Sequence, residues 1–271
     1  MPELPEVETT RRGIRPHIKG QTIKAIVIRD VRLRWPVPVS IKKLLPGHRI
    51  LSVKRRGKYL LLETEVGTLI MHLGMSGSLR VVTNAAPVQK HDHVDIVFIN
   101  NKILRLRDPR RFGAVLFTKT DPLQHKLLAS LGPEPLSQPF NGAYLYDKSR
   151  KRRVVVKSLI MDSKIVVGVG NIYANEALFL AGIHPKKAAG KLTRPQCERL
   201  AKAIKRVLTA AIKAGGTTLR DFTRSDGKPG YFRLSLKLYG KQGEPCPRCH
   251  KPISHAVIGQ RASYYCTHCQ T

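Results

Sequence analysis

Residues 131–140 read LGPEPLSQPF, and the hydrophobic pattern of the chain differs on their two sides. Before them, from Thr22 to about Phe117, runs such as KYLLLETEV and HVDIVFI are rich in Ile, Val and Leu and end at turn residues, which is typical of β-strands. After them, from about Tyr144, apolar residues recur at helical spacing. A polar, proline-rich stretch between two such patterns indicates a linker, which we place at residues 132–142.

The β-rich part predicts antiparallel sheets packed as a sandwich, because many short strands follow one another at close spacing. A short helix from Pro5 to about Ile18 is expected to precede them. Pro5 suits a first helical turn, and the carboxylates of Glu6 and Glu8 suit the positive end of a helix dipole. We therefore expect an α+β fold with two domains, of which the first, residues 1–131, is this β-sandwich with its leading helix.

The part after the linker predicts the second domain, which is helical over residues 143–235 and ends in a small separate segment over residues 236–271. The clearest helix follows LTRPQ, where Thr193 and Gln196 have capping-box spacing and Pro195 falls in the first turn. The pair Gly215 and Gly216 is expected to end this helix.

Two cysteine pairs dominate the end of the chain. Cys246 and Cys249 are separated by two residues, as are Cys266 and Cys269, and sixteen residues lie between the pairs. This spacing predicts a tetrahedral four-thiolate zinc site, because each short turn aims two sulfur atoms at one metal ion. Four ligands leave no position for water, so the zinc would be structural. A redox-active pair is the alternative, and the presence of two pairs argues against it.

The segment between the cysteine pairs, AVIGQRASYY (residues 256–265), predicts a β-hairpin. Gly259 and Gln260 would lie at its tip, with Arg261 beside them. An arginine at a hairpin tip can reach a phosphate or enter a groove, but it can equally be a solvated turn residue. Spacing alone leaves both interpretations open.

The charge of the chain is extreme, with 49 Lys and Arg against 18 Asp and Glu and a net charge of +31. Such a surface attracts polyanions, usually nucleic acids. Charge alone does not separate DNA from RNA, an enzyme from a binding protein, or either from adaptation to solubility. The sequence has no run of about 18 apolar residues, and its acidic start MPELPEVETT is unlike a signal peptide. We expect a cytosolic protein whose cysteines are reduced or metal-bound.

The first residues offer a possible nucleophile. Pro2 follows Met1, and a small second residue normally permits removal of the methionine. The chain would then begin with a secondary amine, and since α-amino groups have a pKa of about 8, part of it is neutral at physiological pH. A secondary amine that attacks an aldehyde-like carbon yields a cationic iminium, which draws electrons from neighbouring bonds. A Met-Pro start is common, however, and alone it is weak evidence.

The start PELPEVETTRR strongly resembles that of bacterial formamidopyrimidine-DNA glycosylases. Further motifs of that family follow in order along the chain: RRGKYL, HLGMSGSL, KHDHVD, DPRRFG, LGPEPL, GVGNIYANEALF, AGIHP, GGTTLRDF, SDGKPGYF and the terminal zinc finger. The resemblance implies a bifunctional DNA glycosylase and AP lyase of base excision repair that removes 8-oxoguanine and formamidopyrimidines. It also implies a helix-two-turns-helix element within residues 143–235.

The resemblance assigns four residues to catalysis. Pro2 would attack the sugar C1′, and Glu3 would protonate the opening sugar. Lys58 matches the lysine of β-elimination, and Arg261 matches the arginine of δ-elimination and phosphate contact. Together the two eliminations would leave a one-nucleotide gap with 3′- and 5′-phosphates. Beyond the structural zinc ion, neither a catalytic metal nor a redox cofactor is expected.

The same resemblance assigns residues to the DNA. The target base must leave the stack, and Met75, Arg110 and Phe112 match the trio that fills the gap, although Met75 and Phe112 alone would more often be core residues. Further contacts are implied for His91, Arg152, Lys157 and Asn171. Which of Arg150, Lys151, Arg152 and Arg153 bears the main phosphate contact stays open.

The partner implied by the resemblance is damaged double-stranded DNA, bound by a monomer in the bacterial cytoplasm, associated with the nucleoid and with no membrane. Residues 217–237 resemble a mobile loop that covers the extruded purine. Two alternatives remain. One is an endonuclease VIII-like specificity for oxidised pyrimidines, which Leu4 and SDGKPGYF argue against. The other is a non-catalytic nucleic-acid-binding protein with a zinc ribbon.

Overall fold

The computed structural model describes residues 2–216 and 236–271, which form two compact units. The first unit contains residues 2–129 and 214–216, and the second contains residues 130–213 and 236–271. The predicted α+β fold, with antiparallel sheets first and helices and a hairpin after them, is confirmed. Of the predicted loop over residues 217–237, residues 217–235 lie outside the described part of the chain.

The first unit consists of a leading helix and eight strands. Its elements are α1 (Leu4–Ile18), β1 (Ile23–Ile28), α2 (Ile41–Leu44), β2 (Ile50–Arg56), β3 (Tyr59–Thr64), β4 (Gly67–His72), β5 (Ser78–Thr83), β6 (Asp92–Phe98), β7 (Lys102–Arg107) and β8 (Ala114–Thr118), followed by a 3₁₀ turn at Pro122–Gln124. The strands form two antiparallel sheets, in the orders β1-β6-β7-β5 and β2-β3-β4-β8. Apolar side chains of α1 and of both sheets share one buried core, which holds the sandwich together by removing apolar surface from water.

Helix α1 begins one residue before the predicted start. The Glu3 N–H donates to Glu6 Oε2 over 2.8 Å, and the two residues form a reciprocal capping box. Glu8, one turn further along, pairs with Arg11, Arg12 and Arg55. Burial alone would raise the pKa of Glu8, but these arginines outweigh it and lower the pKa to about 2. The start of α1 is thereby fixed against β2, which contributes Arg55.

The second unit contains four helices and one hairpin. Its elements are α3 (Gly142–Ser149), α4 (Val156–Met161), α5 (Asn171–Ala181), a 3₁₀ turn at Ala189–Lys191, α6 (Arg194–Lys213), β9 (Ser254–Ile258) and β10 (Arg261–Tyr265). Helix α6 packs against α3 and α5. The predicted capping box at its start is confirmed: Thr193 N–H donates to Gln196 Oε1 over 3.1 Å, and Gln196 N–H donates to Thr193 Oγ1 over 3.3 Å.

The predicted hairpin is also confirmed. Strands β9 and β10 pair in antiparallel register with Ile258 opposite Arg261, so Gly259 and Gln260 form a two-residue turn. Their φ angles of +56° and +62° are both positive, as the tightest hairpin turns require. Within residues 2–216 and 236–271, no helix has the length and apolar character needed to cross a membrane.

Candidate active site

Pro2 and Glu3 lie together at the start of α1. Pro2 is buried, and the side chain of Glu3 is only 2% exposed. Glu3 is the N-cap of α1, with an extended backbone that leads directly from Pro2 into the first turn. A carboxyl group therefore sits on the residue next to the predicted nucleophile, and its place in the helix cap keeps that backbone in one conformation.

Lys58 lies in the two-residue turn that joins β2 to β3. Gly57, which precedes it, has a φ angle of +56°, so a glycine suits this turn. Lys58 is half-buried, and the sheet register places its neighbour Tyr59 opposite His72 on β4. The predicted elimination lysine thus lies in the turn that joins the edge strand β2 to the inner strand β3 of the second sheet.

His72 was not found by sequence analysis, yet it belongs to this region. Burial, together with the positive charges of Lys58 and Arg34, lowers the pKa of His72 to about 4, so its ring is neutral near pH 7. Its Nδ1 accepts a hydrogen bond from the Gly74 N–H over 2.9 Å, which places the ring proton on Nε2. The sequence contained one signal, the HLGMSGSL motif, but neither the burial nor the nearby charges could be seen in it.

Met75, Arg110 and Phe112 lie around one cleft of about 660 Å³. The other residues that line it are Arg32, Leu33, Arg34, His72, Gly74 and Arg111. Met75 is 36% exposed and Phe112 is 45% exposed, so the interpretation of these two as core residues is wrong. The Arg110 guanidinium lies 5.1 Å from the centre of the Phe112 ring. The structure therefore brings the predicted trio together at the surface, rimmed by positive charge.

The two neighbouring arginines of this loop differ in their partners. Arg111 forms an ion pair of 3.1 Å with Asp30, whose carboxylate also binds Arg32. The exposed Arg110 guanidinium has no carboxylate partner within the described residues. Of the two, Arg110 is therefore the arginine whose guanidinium is available to a ligand.

His91 lies in the loop before β6, where its carbonyl accepts a hydrogen bond from the Asp108 N–H. Its φ angle is +75°, an uncommon conformation for a residue with a side chain, and its ring lies 6.2 Å from that of His93. Loss of hydration, together with the charges of Lys90 and Arg107, lowers the pKa of His91. A ring with a lowered pKa is mostly neutral at pH 7, where it can act as a hydrogen-bonding group.

In the second unit, Lys157 and Asn171 donate hydrogen bonds to the β9–β10 hairpin. Lys157 is 1% exposed, and its Nζ donates to Ala262 O over 2.9 Å and to Ser263 Oγ over 2.5 Å. Asn171 Nδ2 donates to the same Ala262 carbonyl over 3.0 Å. Both side chains thus fix the residue that follows Arg261, a role that the sequence did not predict.

Arg261 is exposed beside the hairpin turn and lines a small cleft of about 220 Å³. The cleft is formed by Lys157, Ser158, Met161, Asp162, Ile258, Gly259 and Arg261. The two cations outnumber the one carboxylate in this lining, Asp162, so its net charge is positive and suits an anion such as a phosphate.

The four basic residues at 150–153, before α4, differ in their surroundings. The Arg150 guanidinium donates to Leu192 O over 2.6 Å and lies 4.0 Å from the Tyr146 ring centre, so it is used inside the unit. Lys151, Arg152 and Arg153 are exposed. This arrangement favours one of these three, rather than Arg150, for contact with phosphate.

The four predicted metal ligands form one cluster. The sulfur atoms of Cys246, Cys249, Cys266 and Cys269 all lie within 4.8 Å of one another. Four thiolates around one zinc ion at about 2.3 Å would lie about 3.8 Å apart, and the pairs Cys246–Cys269 and Cys249–Cys266 lie at 3.9 and 3.4 Å. Burial and the neighbouring thiols raise the pKa of Cys269 to about 12. The donor set fits zinc.

Comparison with known proteins places each part of the chain. Residues 1–115 match the family model of the formamidopyrimidine-DNA glycosylase N-terminal domain, and residues 131–223 match the model of its H2TH domain. Residues 243–271 match a zinc finger found in FPG and IleRS. The predicted helix-two-turns-helix region and zinc finger are thereby confirmed as parts of the fold.

Similar proteins extend over the whole chain. Formamidopyrimidine-DNA glycosylases of Teredinibacter turnerae and Nitrosococcus oceani are 60% and 59% identical to it, with full coverage of both chains. Among solved structures, MutM (FPG) from Thermus thermophilus has a TM-score of 0.88 at 39% identity, with 99% of this chain and 98% of that one covered. A variant FPG of Lactococcus lactis in complex with DNA containing Fapy-dG has a TM-score of 0.93 at 36% identity, with both chains fully covered.

Proposed function

Because this chain belongs to the formamidopyrimidine-DNA glycosylase family, we propose that it is a DNA glycosylase and AP lyase of base excision repair that excises 8-oxoguanine and formamidopyrimidines. The observation that carries this proposal is the start of α1, where Pro2 and the buried Glu3 are adjacent in a chain that matches the family along its whole length. Residues 1–131 would form the catalytic domain, residues 143–235 the DNA-binding domain after the linker at 132–142, and residues 236–271 the zinc finger.

The proposed reaction begins at the amine of Pro2, freed by removal of Met1. Its nitrogen forms a bond to C1′ of the damaged nucleotide, the bond from C1′ to the base breaks, and the base leaves with a proton. Glu3 supplies a proton to the ring oxygen, the sugar opens, and a cationic iminium results. The positive nitrogen can accept the electrons that later steps release, so this route involves no redox cofactor or catalytic metal.

Two eliminations then cut the strand. Lys58 assists loss of a C2′ proton, the bond between C3′ and its oxygen breaks, and the 3′ strand leaves as a phosphate ester. Arg261 assists loss of the C4′ proton, the bond between C5′ and its oxygen breaks, and the upstream strand leaves with a 3′-phosphate. A one-nucleotide gap with phosphates at both ends remains. The half-buried turn of Lys58 and the anion-suited cleft of Arg261 support these two assignments.

Recognition of DNA would divide between the two units. The exposed Met75 and Phe112 would fill the space left by the flipped nucleotide, while Arg110 would hydrogen-bond the unpaired cytosine. His91, Arg152, Lys157 and Asn171 would contact or orient phosphates. The protein would act as a monomer on damaged duplex DNA in the cytoplasm, associated with the nucleoid through that DNA, and the zinc ion would be structural.

Borohydride trapping tests the proposal. Reduction of the iminium should link the chain covalently to a duplex that contains 8-oxoguanine opposite cytosine. A chain with extra residues ahead of Pro2 has no free amine there and should give no link, while Pro2→Gly, which offers a primary amine, should excise the base more slowly. Absence of any covalent product from correctly processed protein would favour a non-catalytic DNA-binding role. Faster excision of thymine glycol than of 8-oxoguanine would indicate endonuclease VIII-like specificity.

A further inference from the structure

Asp108 joins the two loops that carry the exposed trio. We call residues 73–77 and 108–113 the wedge loops, since the first holds Met75 and the second holds Arg110 and Phe112. The Asp108 side chain is completely buried. Asp108 is the first residue of the DPRRFG motif, and the roles assigned above do not involve it.

Both carboxyl oxygens of Asp108 accept hydrogen bonds from the wedge loops. Oδ2 accepts from the Gly113 N–H over 2.7 Å, which closes the second loop on itself. Oδ1 accepts from Ser76 Oγ over 3.0 Å and from the Arg110 N–H over 3.3 Å. The Arg110 N–H also lies 3.2 Å from Ser76 Oγ. One carboxyl group therefore binds the residue after Met75 and the backbone of Arg110 at the same time.

Backbone contacts reinforce this link. A Cβ atom on Gly74 would lie 2.4 Å from the carbonyl carbon of Phe112, so the two wedge loops touch without intervening side chains. The Asp108 carbonyl accepts hydrogen bonds from His93 Nε2 and from the Arg111 N–H. With so many contacts through one residue, the three exposed side chains share one rigid support.

We propose that Asp108 is the positioning residue that holds Arg110 in register with Met75 and Phe112, and that it thereby sets the preference for cytosine opposite the lesion. The proposal rests on the proposed function. A guanidinium recognises a base edge only when both its donors are aimed correctly, and a backbone shift at Arg110 would move them. A rigid support also spares the cost of ordering the wedge loops on binding.

Asp108→Asn is the primary test. The amide can keep an oxygen toward Gly113 and donate its N–H to Ser76 Oγ, but it then repels the Arg110 N–H. We expect excision of 8-oxoguanine opposite cytosine to fall about tenfold, the scale of one hydrogen bond to a charged group. The ratio of excision opposite cytosine to excision opposite adenine should fall as well. Ser76→Ala, a milder change at the same link, should shift both quantities in the same direction.

A double-substitution cycle separates positioning from general stability. If Asp108 acts through Arg110, then Asp108→Asn should change the cytosine-to-adenine ratio less than about twofold in an Arg110→Ala background. Asp95→Asn is the matched control, since Asp95 is a second buried carboxylate, bonded to Arg105 and Arg29 within one sheet. It should lower the thermal midpoint and leave the ratio unchanged.

The outcomes are distinct. An unchanged ratio in both Asp108→Asn and Ser76→Ala, or equal effects in Asp108→Asn and Asp95→Asn, overturns the positioning role. Borohydride trapping of the unaltered chain, measured in parallel, reports on the proposed function alone: a positive trap with an unchanged ratio rejects Asp108 and leaves the enzyme assignment intact.

Discussion

The turn that holds Lys58 and the turn next to Arg261 are equally short but are supported differently. Each is a two-residue turn between antiparallel strands, and each has a glycine with a φ angle of +56°, Gly57 in one and Gly259 in the other. The β2–β3 turn belongs to a four-stranded sheet whose neighbouring side chains are fully buried, among them Leu60 and Leu62. The β9–β10 hairpin is a two-stranded sheet, which is marginally stable by itself.

Specific contacts, rather than further strands, stabilise the β9–β10 hairpin. The cysteine cluster lies beyond both strand ends, Lys157 and Asn171 bind the Ala262 carbonyl, and Asn175 Oδ1 accepts from the Tyr264 N–H. The apolar core of a four-stranded sheet supports Lys58, whereas a cysteine cluster and a few buried polar groups support Arg261. The second kind of support should be the more sensitive to single changes.

The largest difference between the two turns is expected on removal of zinc, which should disrupt the hairpin and leave the β2–β3 turn folded. Cys249→Ser, or treatment with a strong chelator, should abolish measurable DNA binding because the hairpin loses its metal and Arg261 its position. The β-sheet signal of the first unit in circular dichroism should persist. Zinc content has to be measured alongside binding, because unchanged affinity in demonstrably zinc-free protein would contradict this view of the hairpin.

Loss of the buried ammonium should have an intermediate effect. Lys157→Met leaves the Ala262 carbonyl and Ser263 Oγ with fewer partners and removes a cation from the Arg261 cleft. We expect the δ-elimination product to fall about tenfold relative to base excision, the scale of one charged hydrogen bond. Product lengths on a denaturing gel give both quantities. Lys164→Met, at an exposed lysine of the same unit, is the control, and equal losses in the two variants would refute the support role.

The smallest of these effects is expected from mild acid, which should lower the free energy of unfolding through His72, the residue opposite Tyr59. The pKa of this ring is about 4 in the folded chain and near 6.5 when unfolded. The unfolded chain therefore takes up a proton first, and the folded state loses about 1 kcal/mol of stability between pH 7 and pH 5.5. Urea unfolding at the two pH values measures it. His72→Gln should remove this contribution of about 1 kcal/mol and leave those of other histidines whose pKa is lowered, such as His91. His48→Gln, at a half-exposed histidine, should retain it; an identical slope in His72→Gln would exclude His72 as a source.

Local patterns predicted the local features of the molecule. The capping box at Thr193, the hairpin tip and the paired cysteines each depend on residues within a few positions of one another, so their spacing was sufficient. The link from Asp108 to Ser76 and the neutral state of His72 depend on sheet order and burial, which no short segment encodes. Lys157 illustrates the same limit, because its hydrogen-bond partner lies 105 residues further along the chain.

That long-range bond also bears on modularity. A metal-binding hairpin of this size is commonly regarded as a cassette that can be cut from one scaffold and fused to another. Here the strand that carries Arg261 depends on Lys157 and Asn171, which belong to helices far upstream. A transplanted finger would keep its metal but lose the anchors that aim its arginine, so any chimaera intended to retain strand cleavage has to transfer α4 and α5 with it.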